Sequence, residues 1–189
     1  MAGNEVAKVY ASALLDIGQE KNILARIEEE LGFISSLLAE DRDLMLYFSA
    51  PGVSNDAKKA FVDKVFSGEL SEITVNFLKV LIDNNRQLSI RDIHQSLIEL
   101  IDIVNNRQRV KIVTSSKIDT DVLKKIKDTL ENKFKKEIIV EEVIDANIIG
   151  GIVIKIGDLI IDGSIAKDLK NIKEKLLYSK VRSEAAYED

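Results

Sequence analysis

A single proline, Pro51, and nine glycines punctuate a chain of 189 residues, and this scarcity of breakers most limits what the chain can fold into. Proline removes a backbone donor and clashes with the preceding turn, and glycine costs a helix interior about 1 kcal/mol relative to alanine. A chain with so few of either favours long helices, and its apolar pattern predicts where they lie. From Glu5 to Lys21, apolar side chains fall at Val6, Val9/Tyr10, Ala13, Leu14 and Ile17, the spacing of a helix with one buried stripe. Ile23, Ile27, Leu31, Ile34 and Leu38 mark a second helix, with Glu28, Glu29 and Glu30 on its wet side. Asp41 to Phe48 is a shorter apolar segment, ended at Ser49-Ala50-Pro51-Gly52 because the residue before proline is pushed out of helical geometry. Ser54 is a candidate N-cap for a helix that Gly68 closes, and Ser71 opens another through Ile73, Phe77, Leu78, Leu81 and Ile82. A regular stripe, Ile90, Ile93, Leu97, Leu100/Ile101 and Val104, completes an expected bundle of six helices.

After Asn105-Asn106 the period changes. Val110, Ile112 and Thr114 alternate with Lys111 and Val113 as in a strand. Helical spacing returns from Asp119 to Phe134, then Ile138–Ile144 and Gly151–Ile156 form β-branched runs, with Leu159–Ile161 following across a Gly157-Asp158 turn. A last helix is expected from Ser164 to about Tyr178. The fold class is therefore α+β: an N-terminal six-helix bundle over 1–105, then a small mixed domain over 106–182 in the order strand-helix-strand-strand-strand-helix, its first crossover right-handed. Residues 183–189 are expected to be a flexible tail. Charge shifts at the same boundary: the residues through Asn105 carry net −7 and those beyond it net +2.

Composition removes whole classes of chemistry. There is no cysteine, one histidine and no tryptophan, so disulfide scaffolds, thiolate metal sites, cysteine nucleophiles and histidine-based triads have almost nothing to draw on. A net charge of −5 argues against a dedicated nucleic-acid binder. The start Met1-Ala2-Gly3-Asn4-Glu5 has an acid where a secretory signal has a basic region. The longest apolar run, Ile148–Ile154, is interrupted by two glycines and far short of the ~20 residues of a membrane span.

The remaining candidates have plain structural explanations. Gly150-Gly151 lacks the Lys-Ser/Thr pair of a phosphate loop and precedes a strand, which suits a strand start or a close backbone approach. Glu141, Glu142, Asp145, Asp158 and Asp162 match no metal-ligand spacing and suit strand edges and turns. His94 follows the inward Ile93 and is expected at the surface or its boundary. Lys124, Lys125, Lys127, Lys133, Lys135 and Lys136 form a basic helix face without stacking aromatics, a solvated face or a surface for an acidic protein segment. The grooves between helices are of more interest: a small residue such as Ala13 beside Tyr10 and Leu14 leaves space that a partner's amphipathic helix can fill.

The stretch from Asp145 to Ser164, with Ile149-Gly150-Gly151, Ile156-Gly157-Asp158 and Asp162-Gly163-Ser164 in order, resembles the signature of the δ (OSCP) subunit family of F-type ATP synthases. Tyr10-Ala11-Ser12-Ala13-Leu14, Asn85-Arg86-Gln87-Leu88 and Val113-Thr114-Ser115-Ser116 resemble further family segments, so the likeness spans the chain. It departs at Ile165-Ala166-Lys167, where many members carry an arginine after the serine, and at Val9, where a basic residue often precedes the tyrosine. The resemblance implies a non-catalytic peripheral-stalk (stator) subunit with no cofactor or metal, sited at the cytoplasmic face of the bacterial inner membrane without inserting into it. Its helical domain would hold the N-terminal segment of the α subunit, and its second domain the C-terminal end of the b-subunit stalk, coupling proton translocation to ATP synthesis. The α-segment groove would lie between the first and fifth helices, lined or supported by Tyr10, Ala13, Leu14, Phe77, Leu78 and Leu81. Leu78→Asp would then abolish capture of that segment while leaving the second domain folded. An unrelated helical adaptor using the same groove is the alternative.

Overall fold

The computed structural model describes residues 2–174, and the chain divides into two compact units, Met1–Val104 and Asn105–Asp189. The first holds α1 (Ala2–Glu20), α2 (Leu24–Glu40), α3 (Arg42–Ser49), α4 (Asn55–Phe66), α5 (Glu72–Asp83) and α6 (Ile90–Val104), with a 3-10 turn at Gln87–Ser89 leading into α6. These helices span 8 to 19 residues, shorter than the scarcity of breakers suggests, because asparagine does the work of glycine at the ends of α1 and α5. Asn22 and Asn85 adopt left-handed backbone, φ 54° and 56°. Each lets the next N–H reach back five residues, Ile23 to the Gly18 carbonyl at 2.9 Å and Arg86 to the Leu81 carbonyl at 2.7 Å. Helix starts follow the expected chemistry. The side chains of Asp41, Ser54 and Ser71 accept from the N–H groups of Leu44, Ala57 and Thr74 at 2.9, 3.3 and 3.4 Å. Ala50 is extended before Pro51 and ends α3.

One apolar core fills this unit, with Leu14, Ile27, Leu31, Val62, Leu81, Ile82, Ile93 and Leu97 among its fully buried members. It corrects the expected orientation of α1. Of Val6, Val9, Tyr10, Ala13, Leu14 and Ile17, Leu14 alone is buried; the inward line is Ala7, Ala11, Leu14, Leu15 and Gly18. α1 packs along α6, and Gly18 at its end makes room for Leu24, the first residue of α2.

The second unit carries β1 (Arg107–Thr114), α7 (Thr120–Phe134), β2 (Glu137–Ile144), β3 (Gly151–Ile156) and β4 (Leu159–Ser164), followed by a helix, α8, over residues 165–174. The continuation to Tyr178 and the tail 183–189 lie outside the described residues. The strands form one mixed sheet in the order β2-β1-β3-β4. β1 and β2 run parallel with α7 as their connection, Val110 opposite Val140; β3 is antiparallel to β1 and to β4. Val110, Ile112, Ile138 and Ile156 bury one face against Leu130 of α7. β1 begins three residues before Val110, because Arg107 and Glu137 pair across the strands with a 2.9 Å ion pair. β4 extends past Ile161 because Gly163 and Ser164 pair with Ile152 and Gly151. Gly157, φ 54°, is the first of the two residues joining β3 to β4.

Candidate partner-binding surface

α1 has more apolar surface than one buried face needs. Beside its inward line runs a second line of Val6, Tyr10, Ala13 and Ile17, with Val9 further out at 70% exposure. α5 repeats the design. Thr74, Val75, Leu78, Leu81 and Ile82 face the core, while Ile73 and Phe77 are half-buried and Val80 is 46% exposed. The two outer lines meet where the rings of Tyr10 and Phe77 pack edge to face, centroids 6.0 Å apart at 73°. The contact joins the two outer lines into one partly exposed apolar strip with an aromatic pair in it.

The six residues singled out from the sequence divide by depth. Tyr10 and Phe77 are half-buried in their mutual contact, and Ala13 is exposed on the same line as Tyr10. Leu14, Leu78 and Leu81 are core residues, at 2%, 4% and 0% exposure, and support the helices from beneath. The expectation for Leu78→Asp therefore changes: the aspartate would sit among buried apolar side chains and report on folding of the first unit. Val6, Ile17, Ile73 and Val80 lie on the same two outer lines, half-buried or exposed, and were assigned to buried stripes or passed over. The signal was present in α1, whose apolar positions 6, 7, 9, 10, 11, 13, 14, 15 and 17 cover an arc too wide for a single buried face.

Fixed contacts hold α5 as a wall. Glu30 on α2 is buried against its N-terminus: one carboxylate oxygen accepts from the Ser71 N–H at 2.7 Å and from Arg26 Nε at 2.8 Å. The other oxygen accepts from the Ser71 hydroxyl at 2.6 Å and from the Thr74 hydroxyl. Burial pushes the Glu30 pKa up, but the two hydroxyls, the guanidinium and the Ser71 N–H outweigh it and hold the carboxyl below its usual range. Lys59 bonds Asp83 at 2.8 Å and Lys79 pairs with Asp63, fastening α5 to α4. Beyond Asn85, Gln87 Nε2 donates to the Phe48 carbonyl at 2.8 Å, tying α3 to the start of α6.

The other candidates have assigned structural work. Gly151 has φ 87°, and a Cβ there would lie 2.3 Å from the Gly163 carbonyl oxygen, so only glycine fits. Asp145 accepts from the backbone and side-chain amides of Asn147 at 2.9 and 2.8 Å. Asp162 accepts from the Ser164 N–H at 2.9 Å, the contacts to Ser164 lowering its pKa, and Ser164 Oγ accepts from the Lys167 N–H at the start of α8. Glu141 pairs with Lys111 at 3.1 Å. His94 is half-buried over Gly32, where an added Cβ would meet its ring at 3.3 Å. On α7, Lys127 approaches Glu131 at 3.6 Å, while Lys124 and Lys125 are exposed.

The chain thus joins a helical unit carrying a partly exposed apolar strip to a small α+β unit. Comparison with known proteins gives it a family. The profile described as ATP synthase delta (OSCP) subunit matches residues 6–176. The chain is 35% identical over 181 residues to the ATP synthase subunit delta of Leptospira biflexa, covering 96% of this chain and 97% of that one. It is 34% identical over 189 residues to that of Leptospira interrogans, covering both completely, and 36% identical over 179 residues to that of Syntrophus aciditrophicus, covering 93% and 98%. A chain in the cryo-EM structure of the Toxoplasma gondii mitochondrial ATP synthase hexamer shares the fold, with a TM-score of 0.66 at 20% identity over 90% of this chain and 97% of that chain. The chain belongs to the ATP synthase delta (OSCP) subunit family, the peripheral-stalk subunits of F-type ATP synthase. Among the described residues, no helix is long and apolar enough to cross a membrane.

Proposed function

We propose that this subunit is a non-catalytic mechanical link, holding the N-terminal segment of an α subunit in the α1–α5 groove and the C-terminal end of the b stalk on its second unit. The observation that carries the reading is the uncovered apolar line on each of two neighbouring helices, Val6, Ala13 and Ile17 on α1 and Ile73 and Val80 on α5, around the Tyr10–Phe77 contact. Isolated helices bury such lines in a groove of matching shape, reading it at i, i+3, i+4 and i+7. The first unit, read as a six-helix bundle, supplies that groove. The second unit offers its own apolar surface: Leu159 and Ile160 on β4 are 48% and 59% exposed, and Ile165, Leu169 and Ile172 follow one side of α8 at 46%, 54% and 53%.

Two attachments suit a stator. Once one holds, the second forms at high effective concentration, so the link survives loads that would release either alone. In this role the subunit works at the cytoplasmic face of a bacterial inner membrane, without entering the bilayer. It keeps the catalytic head from turning with the central shaft, and so keeps proton flow coupled to ATP synthesis. Calorimetric titration of the full chain with a peptide spanning the first ~25 residues of the same organism's α subunit tests the first attachment. Saturable one-to-one binding that is lost when Val80 and Ile17 become polar supports the groove. Absence of binding to a soluble peptide leaves the groove to another amphipathic partner and overturns the assignment.

A further inference from the structure

The rim of the groove is acidic on both sides. With 100° between successive residues of a helix, Glu20 falls between Val9 and Ala13 around α1 and Asp16 and Glu5 fall next outward from Val9, all three exposed. On α5 the positions outward from Ile73 and Val80 are Glu72, Asn76 and Asp83. Among the described residues, Glu5, Asp16, Glu20 and Glu72 make no ion pair or hydrogen bond through their side chains. Asp83 is held by Lys59 at 2.8 Å. Of the nearby cations, Lys8 lies on the opposite side of α1 and Lys79 pairs with Asp63 on α4; Lys21, whose N–H still bonds the Ile17 carbonyl at 3.0 Å, continues the outer apolar line at the end of α1 and sets one positive charge there against the carboxylates.

We infer that the groove selects its occupant by charge, accepting an amphipathic helix whose apolar stripe is edged by lysine and arginine and disfavouring one edged by acids. This deepens the assignment of the groove to the α-subunit segment and rests on it for the identity of the natural occupant. Physically, the apolar base supplies affinity without direction, since any apolar stripe of suitable width gains by leaving water. The unpartnered carboxylates, Glu5, Asp16 and Glu20 on the α1 edge and Glu72 on the α5 edge, add the direction: a basic edge finds partners, and an acidic edge meets like charge at close range. The acidic balance of the first unit extends the same preference to the approach, raising the local concentration of basic segments.

The test uses the full chain and two synthetic helices of equal length and identical apolar stripe, one edged with lysine and the other with glutamate. Both are titrated at ~20 mM and ~500 mM salt, where screening lengths differ about fivefold. The lysine-edged helix is expected to bind about tenfold more tightly at low salt, a difference of about 1.4 kcal/mol, and most of that margin is expected to vanish at high salt. The Asp16→Lys/Glu20→Lys double variant, which changes only exposed side chains, should abolish or reverse the preference. Glu5→Lys/Glu72→Lys serves as a second variant if the first melts early. Equal affinity for the two helices, or a preference that survives both salt and charge reversal, overturns the inference. Titration of the α-subunit peptide in parallel separates the two ideas. If the lysine-edged helix shows the preference and the α peptide does not bind, charge selection stands and the α assignment falls. If the α peptide binds and the two helices bind alike, the assignment stands and charge selection falls.

Discussion

Between Asp145 and Ser164 the small and polar residues are spent inside the fold, whereas along α1 and α5 apolar residues are left outside it. Gly151 gives way to the Gly163 carbonyl, Asp145 holds the turn at Asn147, and Asp162 and Ser164 together start α8. Each of these demands a specific residue type, because few side chains fit left-handed backbone or cap a turn. The groove demands only apolar bulk at helical spacing, which many residues provide. The difference teaches that the part of this chain most easily recognised is the part that builds the fold, whereas the surface proposed to meet a partner is written in ordinary valine, isoleucine and alanine.

Two substitutions should break the comparison hardest. Leu78→Asp places a charge in the core beside Leu81 and Ile82, a cost above about 4 kcal/mol, and is expected to unfold the first unit in circular dichroism while the second retains its strands. Gly151→Val forces a branched side chain against the Gly163 carbonyl at φ 87°. The expected loss is about 3 kcal/mol from the second unit, read by chemical denaturation, with capture of the α peptide unchanged. An unchanged midpoint for Gly151→Val would show that the signature serves something other than the turn.

How much of this was legible follows from range along the chain. Ser54 and Ser71 were identifiable as caps because a cap bonds a neighbour three residues away, and the strands after Asn106 announced themselves by residue type. The second apolar line of α1 was misread as its buried face because the pattern gives a spacing and not a direction; Ala7 and Ala11 are as apolar as Ala13, and only the approach of α6 decides which line is buried. The breaks after Lys21 and at Asn85 were placed, but the left-handed backbone of Asn22 and Asn85 that makes them was not, because asparagine signals that conformation less strongly than glycine. The strand order β2-β1-β3-β4 and the Glu30–Ser71 contact join residues tens of positions apart, and no local pattern encodes them. The family resemblance supplied the pairing of the first and fifth helices that spacing alone did not.

A test of intermediate size concerns how α5 is held. Glu30→Gln sets an amide against the Ser71 N–H and removes the charge that Arg26 and the two hydroxyls surround, with an expected cost of about 2 kcal/mol at pH 7. Because the folded carboxyl titrates below its ordinary value of 4.5, its contribution is fully present above that value and is lost as pH falls through the lower, folded one. The wild-type chain should therefore lose stability in that acid range, and the gap to Glu30→Gln should narrow with it. A gap that stays constant down to the acid transition would mean the carboxylate charge contributes nothing there.

The smallest effect on the fold is expected to give the sharpest reading of the groove. Val80 is two residues from Leu78 on the same helix, yet it is 46% exposed where Leu78 is 4%. Valine and serine have similar helix propensities, so Val80→Ser should leave thermal stability within about 0.5 kcal/mol of wild type. If the outer line of α5 meets a partner helix, the same change removes apolar contact from the bound state alone. It should weaken capture of the α peptide about fivefold to tenfold, equivalent to roughly 1 kcal/mol. Loss of affinity with stability intact places Val80 on the partner's side of α5 and Leu78 on the fold's side. Equal affinity for wild type and Val80→Ser would move the binding surface off α5, and the division between its two faces would then have to be explained without a partner.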